Sequence, residues 1–227
     1  MEQHIAIAID GPAAAGKSTV AKKVAALLNF VYVDTGAMYR AVTYAVLSRG
    51  LDPKNEADAI TVLPNLSIDL LSDGKVICNG EDVSKVIREP LVSNNVSYIA
   101  AMKPVRLALI GMQRKLAESK SVVMDGRDIG SYVLPHAQVK IFQVASVETR
   151  AKRRYEENLA KGIPTTLEEV EENLRERDRI DSSREFDPLM QAPDSVLLDT
   201  SSLSIDESVE AVLKIVQEKT GLEALCH

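Results

Sequence analysis

The sequence predicts an α/β fold of three layers, in which helices cover both faces of a central parallel sheet. Short apolar runs, typical of buried parallel strands, alternate along the chain with segments whose apolar residues recur at helical spacing. Hydrophobic residues make up 45% of the 227 residues and charged residues 26%, which is sufficient for one packed core. We therefore predict a single domain over residues 1–227, with smaller segments inserted into it.

The first predicted unit is a strand, a loop of small residues and a helix. Residues 4–10 form an apolar run that ends in a turn signal, and we predict that they are the central strand. The loop covers residues 11–16, and helical spacing follows over residues 17–29. A short strand at residues 31–33 and a helix at residues 37–49 continue the alternation.

The periodicity then changes to the alternation typical of antiparallel strands. Residues 66–71, a Ser72-Asp73-Gly74 turn and residues 75–82 predict a hairpin, which we place in an inserted β-rich subdomain over about residues 60–95. The α/β pattern resumes beyond it. The remaining predicted elements are strands at residues 122–125, 139–144 and 196–199, and helices at residues 105–117, 147–161, 167–180 and 205–220.

Two charged helices joined by a Gly-Ile-Pro-Thr segment predict a short helical lid over about residues 148–180. Acidic side chains slightly outnumber basic ones in this part of the chain, so its arginines do not form a polybasic patch. Arg150, Arg153 and Arg154 share one face of the first helix. We expect these three arginines to belong to a lid that closes over phosphate groups.

Charge and cysteine content exclude several classes of protein. A net charge of −6 repels polyanions, so neither nucleic acid nor an anionic membrane surface is expected as a partner. Cys78 and Cys226 form no metal-binding cluster, and we expect inert thiols in a cytoplasmic protein. No basic region with a long apolar segment starts the chain, and no window approaches 18 apolar residues, so neither secretion nor membrane insertion is expected.

The loop after the first strand matches the phosphate-binding pattern G-x-x-x-x-G-K-[ST] at every fixed position, between a predicted strand and a predicted helix. Small residues let backbone N–H groups converge on phosphates, Lys17 can neutralise β- and γ-phosphate oxygens, and Ser18 can ligate Mg²⁺. The alternative is a simple chain turn with a solvated lysine. The predicted ATP-binding residues here are Gly11, Pro12, Ala13, Ala14, Ala15, Gly16, Lys17, Ser18 and Thr19. GTPases, ATPase motors and small kinases share this P-loop, so it predicts a bound triphosphate and leaves the reaction open.

Polar residues follow the second predicted strand at the edge where open α/β sheets bind ligands. Asp34 and Thr35 end that strand, and Arg40 lies one turn into the next helix, facing the same edge. The alternatives are that Asp34 and Thr35 cap the helix and that Arg40 is an exposed helix arginine.

A second charged segment, Asp125-Gly126-Arg127-Asp128, ends another apolar strand. Asp125 is thereby placed near the P-loop, where it can hold Mg²⁺ directly or through water. A turn signal alone would explain the Asp-Gly pair, but charges at a strand end are costly unless something binds them.

Arg177, Asp181 and Arg184 are spaced i, i+4 and i+7, which places them along one stripe of a helix. They form either a clamp for a sugar phosphate or a solvated ladder of ion pairs.

These segments together resemble the bacterial cytidylate kinase family over essentially the whole chain. The segments are residues 11–19, Asp34-Thr35-Gly36-Ala37-Met38-Tyr39-Arg40, residues 125–128 and the set of Arg177, Asp181 and Arg184. The resemblance implies a P-loop core, an NMP-binding insertion near residues 60–95, a short lid, and Mg²⁺-dependent transfer of the γ-phosphoryl group of ATP to CMP or dCMP.

The resemblance also implies roles for single residues. Ser97, Arg106 and Asp128 would read cytosine, since a carboxylate accepts a hydrogen bond from the exocyclic amine while Arg106 donates to O2 and N3. Uracil would turn an oxygen towards Asp128 and leave an acceptor unpaired. Asp181 at the 3′-hydroxyl would leave the 2′ position loosely read and so permit dCMP. The remaining implied residues are Arg40, Arg127 and Arg184 on the monophosphate, which with Lys17 form the catalytic set, Arg177 near the sugar, Thr35 and Tyr39 in the CMP site, and Arg154 in the ATP site.

Two alternatives stay open at this point. One is a kinase for another acceptor, such as UMP, AMP or a small sugar or acid. The other is a nucleotide switch that binds without transfer, although the sequence has no N-K-x-D element of the GTPase type. We expect ATP and CMP or dCMP as the small-molecule partners, and a monomer, because no apolar stripe is left over after the core is built.

Overall fold

The computed structural model describes residues 4–71 and 73–224. The strands of these residues are β1 Ala6–Asp10, β2 Val31–Asp34, β3 Ile68–Leu70, β4 Val76–Cys78, β5 Glu81–Asp82, β6 Val122–Gly126, β7 Val139–Val144 and β8 Val196–Asp199. The helices are α1 Lys17–Leu28, α2 Thr35–Leu47, α3 Glu56–Val62, α4 Pro90–Ala101, α5 Lys103–Ser119, α6 Val147–Ala160, α7 Leu167–Ser183 and α8 Ile205–Thr220. Short 3₁₀ turns lie at Leu63–Asn65 and Val86–Arg88, and a π-helical turn lies at Ile129–Val133.

The main sheet has five parallel strands in the order β2-β6-β1-β7-β8, so the prediction of a central first strand is confirmed. Alternate side chains of β1 point to opposite faces of this sheet. Ile7 and Ile9 pack with α1 and α8 on one side, and Ala8 packs with Ile110 of α5 on the other. The predicted three-layer α/β/α fold is therefore confirmed, and all five strands end at one edge.

The inserted β-structure differs from the predicted hairpin. Three antiparallel strands, in the order β3-β4-β5, replace two. The predicted second strand breaks at Asn79-Gly80, where φ is 51° and 85°. Positive φ at both central residues is the requirement of a tight type I′ turn, which an Asn-Gly pair satisfies with little strain. Of the predicted first turn, Ser72 lies outside the described residues.

Two helix boundaries also differ from the predictions. The N-cap of α2 is Asp34, whose side chain accepts a hydrogen bond from Ala37 N at 2.8 Å, so α2 begins earlier than the helical spacing indicated. Arg184 lies just beyond the end of α7 with φ −63° and ψ 142°. The prediction that Arg184 shares one helical stripe with Arg177 and Asp181 is therefore wrong.

Gly11 fixes how the P-loop crosses the sheet. It has φ +147°, and a Cβ atom there would lie 1.9 Å from the carbonyl oxygen of Gln143 in β7. Only glycine fits this conformation and this approach. The loop is thereby held directly over the carboxyl end of the sheet.

Within the two described ranges, none of the helices has both the length and the apolar character that crossing a bilayer requires.

Candidate active site

One cavity of about 420 Å³ lies at the carboxyl edge of the main sheet, between the P-loop, α2, α4 and the α6–α7 pair. The predicted residues that line it are residues 13–19 of the P-loop, Thr35, Tyr39, Arg40, Ser97, Arg106, Asp125, Arg127, Asp128, Arg154, Arg177, Asp181 and Arg184. Gly11 and Pro12, which were also predicted to bind ATP, do not line the cavity. The structure thus gathers residues from distant parts of the chain around one space.

The P-loop has its carbonyl oxygens tied to side chains. The three contacts are Lys17 Nζ to Pro12 O at 2.7 Å, Arg150 Nη1 to Ala13 O at 3.1 Å, and Gln143 Nε2 to Ala15 O at 2.7 Å. Because carbonyl and N–H groups of trans peptides point in opposite directions, anchoring the carbonyls leaves the N–H groups available on the other side of the loop. An anion is the ligand that such N–H groups bind.

Arg150 does not have the predicted position. It is only 4% exposed, does not line the cavity, and donates to the Ala13 carbonyl of the P-loop. Arg153 donates to the carbonyl oxygens of Thr200 and Leu203 while it lines the cavity. Arg154 lines the cavity and pairs with Glu157 at 3.1 Å. Of the three arginines on this face, Arg150 is therefore a structural residue rather than a cavity group.

Ser18 and Asp125 are in contact, as expected from the positions at which the parallel strands β1 and β6 end. Ser18 Oγ donates to Asp125 Oδ2 at 2.7 Å, and the Tyr32 hydroxyl donates to Asp125 Oδ1 at 2.9 Å. Thr35 Oγ1 donates to the backbone oxygen of Asp125 at 2.6 Å, which fixes the strand end. A hydroxyl and one carboxylate form an all-oxygen donor set, which fits a Mg²⁺ ion that takes its other ligands from phosphates and water. The described residues hold no cluster of three or more His, Cys, Asp or Glu side chains suited to a metal.

The opposite end of the cavity holds a buried charge network. Arg106 has no exposed surface, and its guanidinium is paired with the Asp128 carboxylate. Arg184 Nη2 lies 3.4 Å from Asp128 Oδ1, and Asp187 Oδ2 lies 3.6 Å from Arg106 Nη2. Ser97, on α4, lines the cavity nearby and is 4% exposed. A donor and an acceptor are thus held in fixed, buried positions, which suits the hydrogen-bonding edge of a base.

Positive charge crowds the middle of the cavity. Burial, and then the neighbouring charges of Arg40 and Arg127, lower the pKa of Arg177 to about 9. Burial chiefly lowers the pKa of Arg40 to about 10, although the Asp34 carboxylate opposes the shift. Arg127 is paired with Asp181 at 2.8 Å. Within the part of the chain that the structure describes, Arg177 Nε is buried without a hydrogen-bond partner. Buried, uncompensated guanidinium groups favour an anionic ligand such as a phosphate.

Lys17 and Asp125, the two charged groups at the P-loop side of the cavity, have shifted pKa values. Burial, reinforced by the positive charge of Arg127, lowers the pKa of Lys17 to about 7. Burial, reinforced by the negative charge of Asp34, raises the pKa of Asp125 to about 6. Both shifts reflect charges held out of water before a ligand arrives.

Sequence reasoning missed Arg88 and Asp10. Arg88 lines the cavity from a 3₁₀ turn of the insertion, and its Nη2 lies 2.9 Å from Asp34 Oδ2. No periodic pattern marks such a turn.

The buried Asp10 carboxylate accepts hydrogen bonds from Ile129 N at 2.8 Å and Gly130 N at 2.7 Å. These two residues directly follow the cavity residues Arg127 and Asp128 in the sequence. An acidic residue at the end of the central strand was a signal that could have found it.

Comparisons with known proteins agree with this geometry. The family model described as cytidylate kinase matches residues 7–218. The cytidylate kinase of Anoxybacillus flavithermus is 54% identical over 96% of this chain and 99% of its own length. That of Geobacillus kaustophilus is 53% identical over 97% of this chain and 100% of its own length. A solved structure of an uncharacterized protein from Eubacterium ventriosum has a TM-score of 0.55 at 15% identity, over 95% of this chain and 99% of that one, which supports the fold alone.

Proposed function

The chain belongs to the cytidylate kinase family, and from this premise we propose that it transfers the γ-phosphoryl group of ATP to CMP or dCMP, giving ADP and CDP or dCDP. The observation that carries the proposal is that one cavity joins the P-loop to the buried Arg106–Asp128 pair. The first group suits a triphosphate and the second suits the edge of cytosine. A transfer enzyme needs both substrates in one enclosed space.

In the proposed reaction an oxygen of the CMP phosphate attacks the γ-phosphorus, and the bond from that phosphorus to the β–γ bridging oxygen breaks. The transition state is loose, so the protein contributes positioning and charge more than a nucleophile of its own. Lys17 neutralises the γ-phosphoryl oxygens and the leaving group. Arg40, Arg127 and Arg184 hold the acceptor phosphate in line, and Arg154 contacts the ATP phosphates from α6.

The acceptor nucleoside is proposed to bind at the charge network. Ser97, Arg106 and Asp128 bind cytosine, Tyr39 lies beside Arg106, and Thr35 lines the phosphate end. Arg177 and Asp181 are assigned to the sugar and its phosphate, with Asp181 already oriented by its ion pair with Arg127. Ser18 and Asp125 would hold Mg²⁺, directly or through water, and the ion supplies further neutralisation of phosphate charge when bound. The insertion at about residues 60–95 and the lid at about residues 148–180 are proposed to close over the substrates and exclude water.

The test is a coupled assay of ADP release with ATP and Mg²⁺, in which CMP, dCMP, UMP and AMP are supplied in parallel at matched concentrations. We expect kcat/KM for CMP and dCMP to exceed that for UMP and AMP by at least about 10²-fold, since uracil and adenine leave Asp128 or Arg106 unpaired. A reaction without acceptor measures ATP hydrolysis and serves as the control. Activity with none of the four acceptors, or a preference for UMP, contradicts the proposal.

ATP binding is also expected to take up a proton at Lys17. The pKa of Lys17 is lowered to about 7 without ligand, and the triphosphate raises it again, so at pH 8 binding protonates most of the lysine. The affinity for ATP therefore falls as the pH rises above about 7. Calorimetry at pH 8 in buffers of different ionisation enthalpy measures the uptake, which we expect to approach about one proton. Lys17→Met is the matched control, and equal uptake by both proteins would refute the assignment.

A further inference from the structure

Arg150 joins three separate parts of the fold through one guanidinium group. Its Nε donates to Ala145 O at 3.0 Å before α6, and its Nη1 donates to Ala13 O at 3.1 Å in the P-loop. Its Nη2 lies 2.8 Å from Asp178 Oδ2 on α7. The guanidinium is planar and rigid, so these contacts fix two backbone carbonyls and the Asp178 side chain relative to one another. Arg150 is buried and Asp178 is partly buried, with 5% and 23% of their side chains exposed.

The contact at Ala13 bears on the geometry of the P-loop. Ala14, the next residue, has φ +59°, which is a strained region for any residue other than glycine. The surrounding structure must hold such a conformation in place. By accepting from Arg150, the Ala13 carbonyl is fixed away from the N–H of Ala14, since the two groups of a trans peptide are antiparallel. Arg150 therefore stabilises the loop conformation in which that N–H is available for a phosphate.

The contact at Asp178 bears on the second substrate. Asp178 directly follows Arg177 and precedes Asp181 by less than one turn of α7, and both neighbours line the cavity. Neither Arg150 nor Asp178 lines it. Beside the ion pair, Ala13 packs with Ala151 of α6 and with Val170 and Leu174 of α7. The P-loop and the helix that presents Arg177 and Asp181 therefore form one packed unit that the Arg150–Asp178 pair fastens.

We propose that the Arg150–Asp178 pair couples the two nucleotide sites, so that binding of ATP strengthens binding of the monophosphate and the reverse. A triphosphate that orders the P-loop also orders α7 through this pair, and the second ligand then has less ordering left to impose. Arg150 is thus a positioning residue that acts through the P-loop and α7. This inference rests on the proposed function, since it takes ATP and CMP as the two ligands.

The experiment measures CMP affinity by calorimetry, with and without a non-hydrolysable ATP analogue and Mg²⁺. The ratio of the two dissociation constants is the coupling factor, which we expect to be at least about fivefold in the unmodified chain. Arg150→Lys keeps the charge and loses the planar fork, and Asp178→Asn keeps the shape and loses the charge. Each is expected to reduce the factor to near one, and the double variant is expected to reduce it no further, because both changes break one contact.

The ratio separates coupling from other effects. Loss of a charge beside Arg177 changes CMP affinity equally with and without the analogue, so it leaves the ratio unchanged. Arg175→Lys is the control on the same helix, because Arg175 pairs at the surface with Glu171 and is 57% exposed. Thermal unfolding identifies any variant that does not fold, and if Arg150→Lys is unstable, Asp178→Asn decides the result.

An unmodified chain without coupling, or folded variants that keep the full coupling factor, would overturn the inference. A chain that couples normally but turns over no CMP contradicts the proposed function instead, so the two failures are distinguishable.

Discussion

Lys17→Met is expected to lower kcat by about 10³ while the protein remains folded. Lys17 is 4% exposed, and its ammonium group donates to the Pro12 carbonyl at 2.7 Å, at the end of the cavity assigned to the triphosphate. Methionine has a similar length and no charge, so the variant removes the neutralisation of the γ-phosphoryl group and little volume. Removal of a buried, poorly compensated charge is not expected to weaken folding.

Steady-state kinetics with saturating ATP and CMP measure the loss. Lys23→Met is the matched control, because Lys23 lies on the same helix and pairs with Asp206 at the surface, where such pairs contribute little. A kcat for Lys17→Met within tenfold of the unmodified chain would exclude the assigned role.

Asp128→Asn is expected to lower kcat/KM for CMP by about 10² or more. The ratio of kcat/KM for CMP to that for UMP is expected to fall by a larger factor, because the substitution also favours uracil. The Asp128 carboxylate faces Arg106 on one oxygen and Arg184 on the other. An asparagine amide turns one of these contacts into a donor against a donor, and it offers uracil a donor where the carboxylate offered none. Both effects change how the site recognises the base.

The measurement is kcat/KM for CMP and UMP with the same preparation. Asp187→Asn makes the same substitution beside the same arginine, 3.6 Å from Arg106 Nη2, at a residue that does not line the cavity. We expect that control to change the CMP to UMP ratio by less than about threefold. An unchanged ratio in Asp128→Asn would remove Asp128 from base recognition.

The strand ends were the part of the site that the sequence predicted best. Parallel strands in one sheet end at one edge, so Asp125 was expected near the P-loop, and it accepts a hydrogen bond from Ser18 at 2.7 Å. Likewise the position of Asp34 as a helix cap follows from local chemistry. These features depend on short segments whose geometry the sequence determines locally.

Residues that depend on distant partners were not predictable in the same way. Helical spacing placed Arg150 on a shared face with two cavity arginines, but only the packed fold shows that it reaches Ala13, 137 positions away in sequence. Arg106 is buried because Asp128 pairs with it, and a spacing pattern holds no information about such a partner. Asn79-Gly80 is different, because an Asn-Gly pair is a local signal for a tight turn that the sequence itself contains.

The crowding of Arg40, Arg127 and Arg177 affects the thermal stability of the ligand-free protein. Like charges held close together in a poorly solvating cavity oppose folding whenever no anion is bound. Substitution of Arg40 or Arg177, whose pKa values are lowered by burial, should therefore raise the melting temperature of the ligand-free protein while it removes activity. Arg127 is the exception, because its loss would leave the buried Asp181 carboxylate without its partner. Selection for catalysis therefore opposes selection for stability at Arg40 and Arg177. Bound nucleotide then contributes to the stability of the folded protein in the cell.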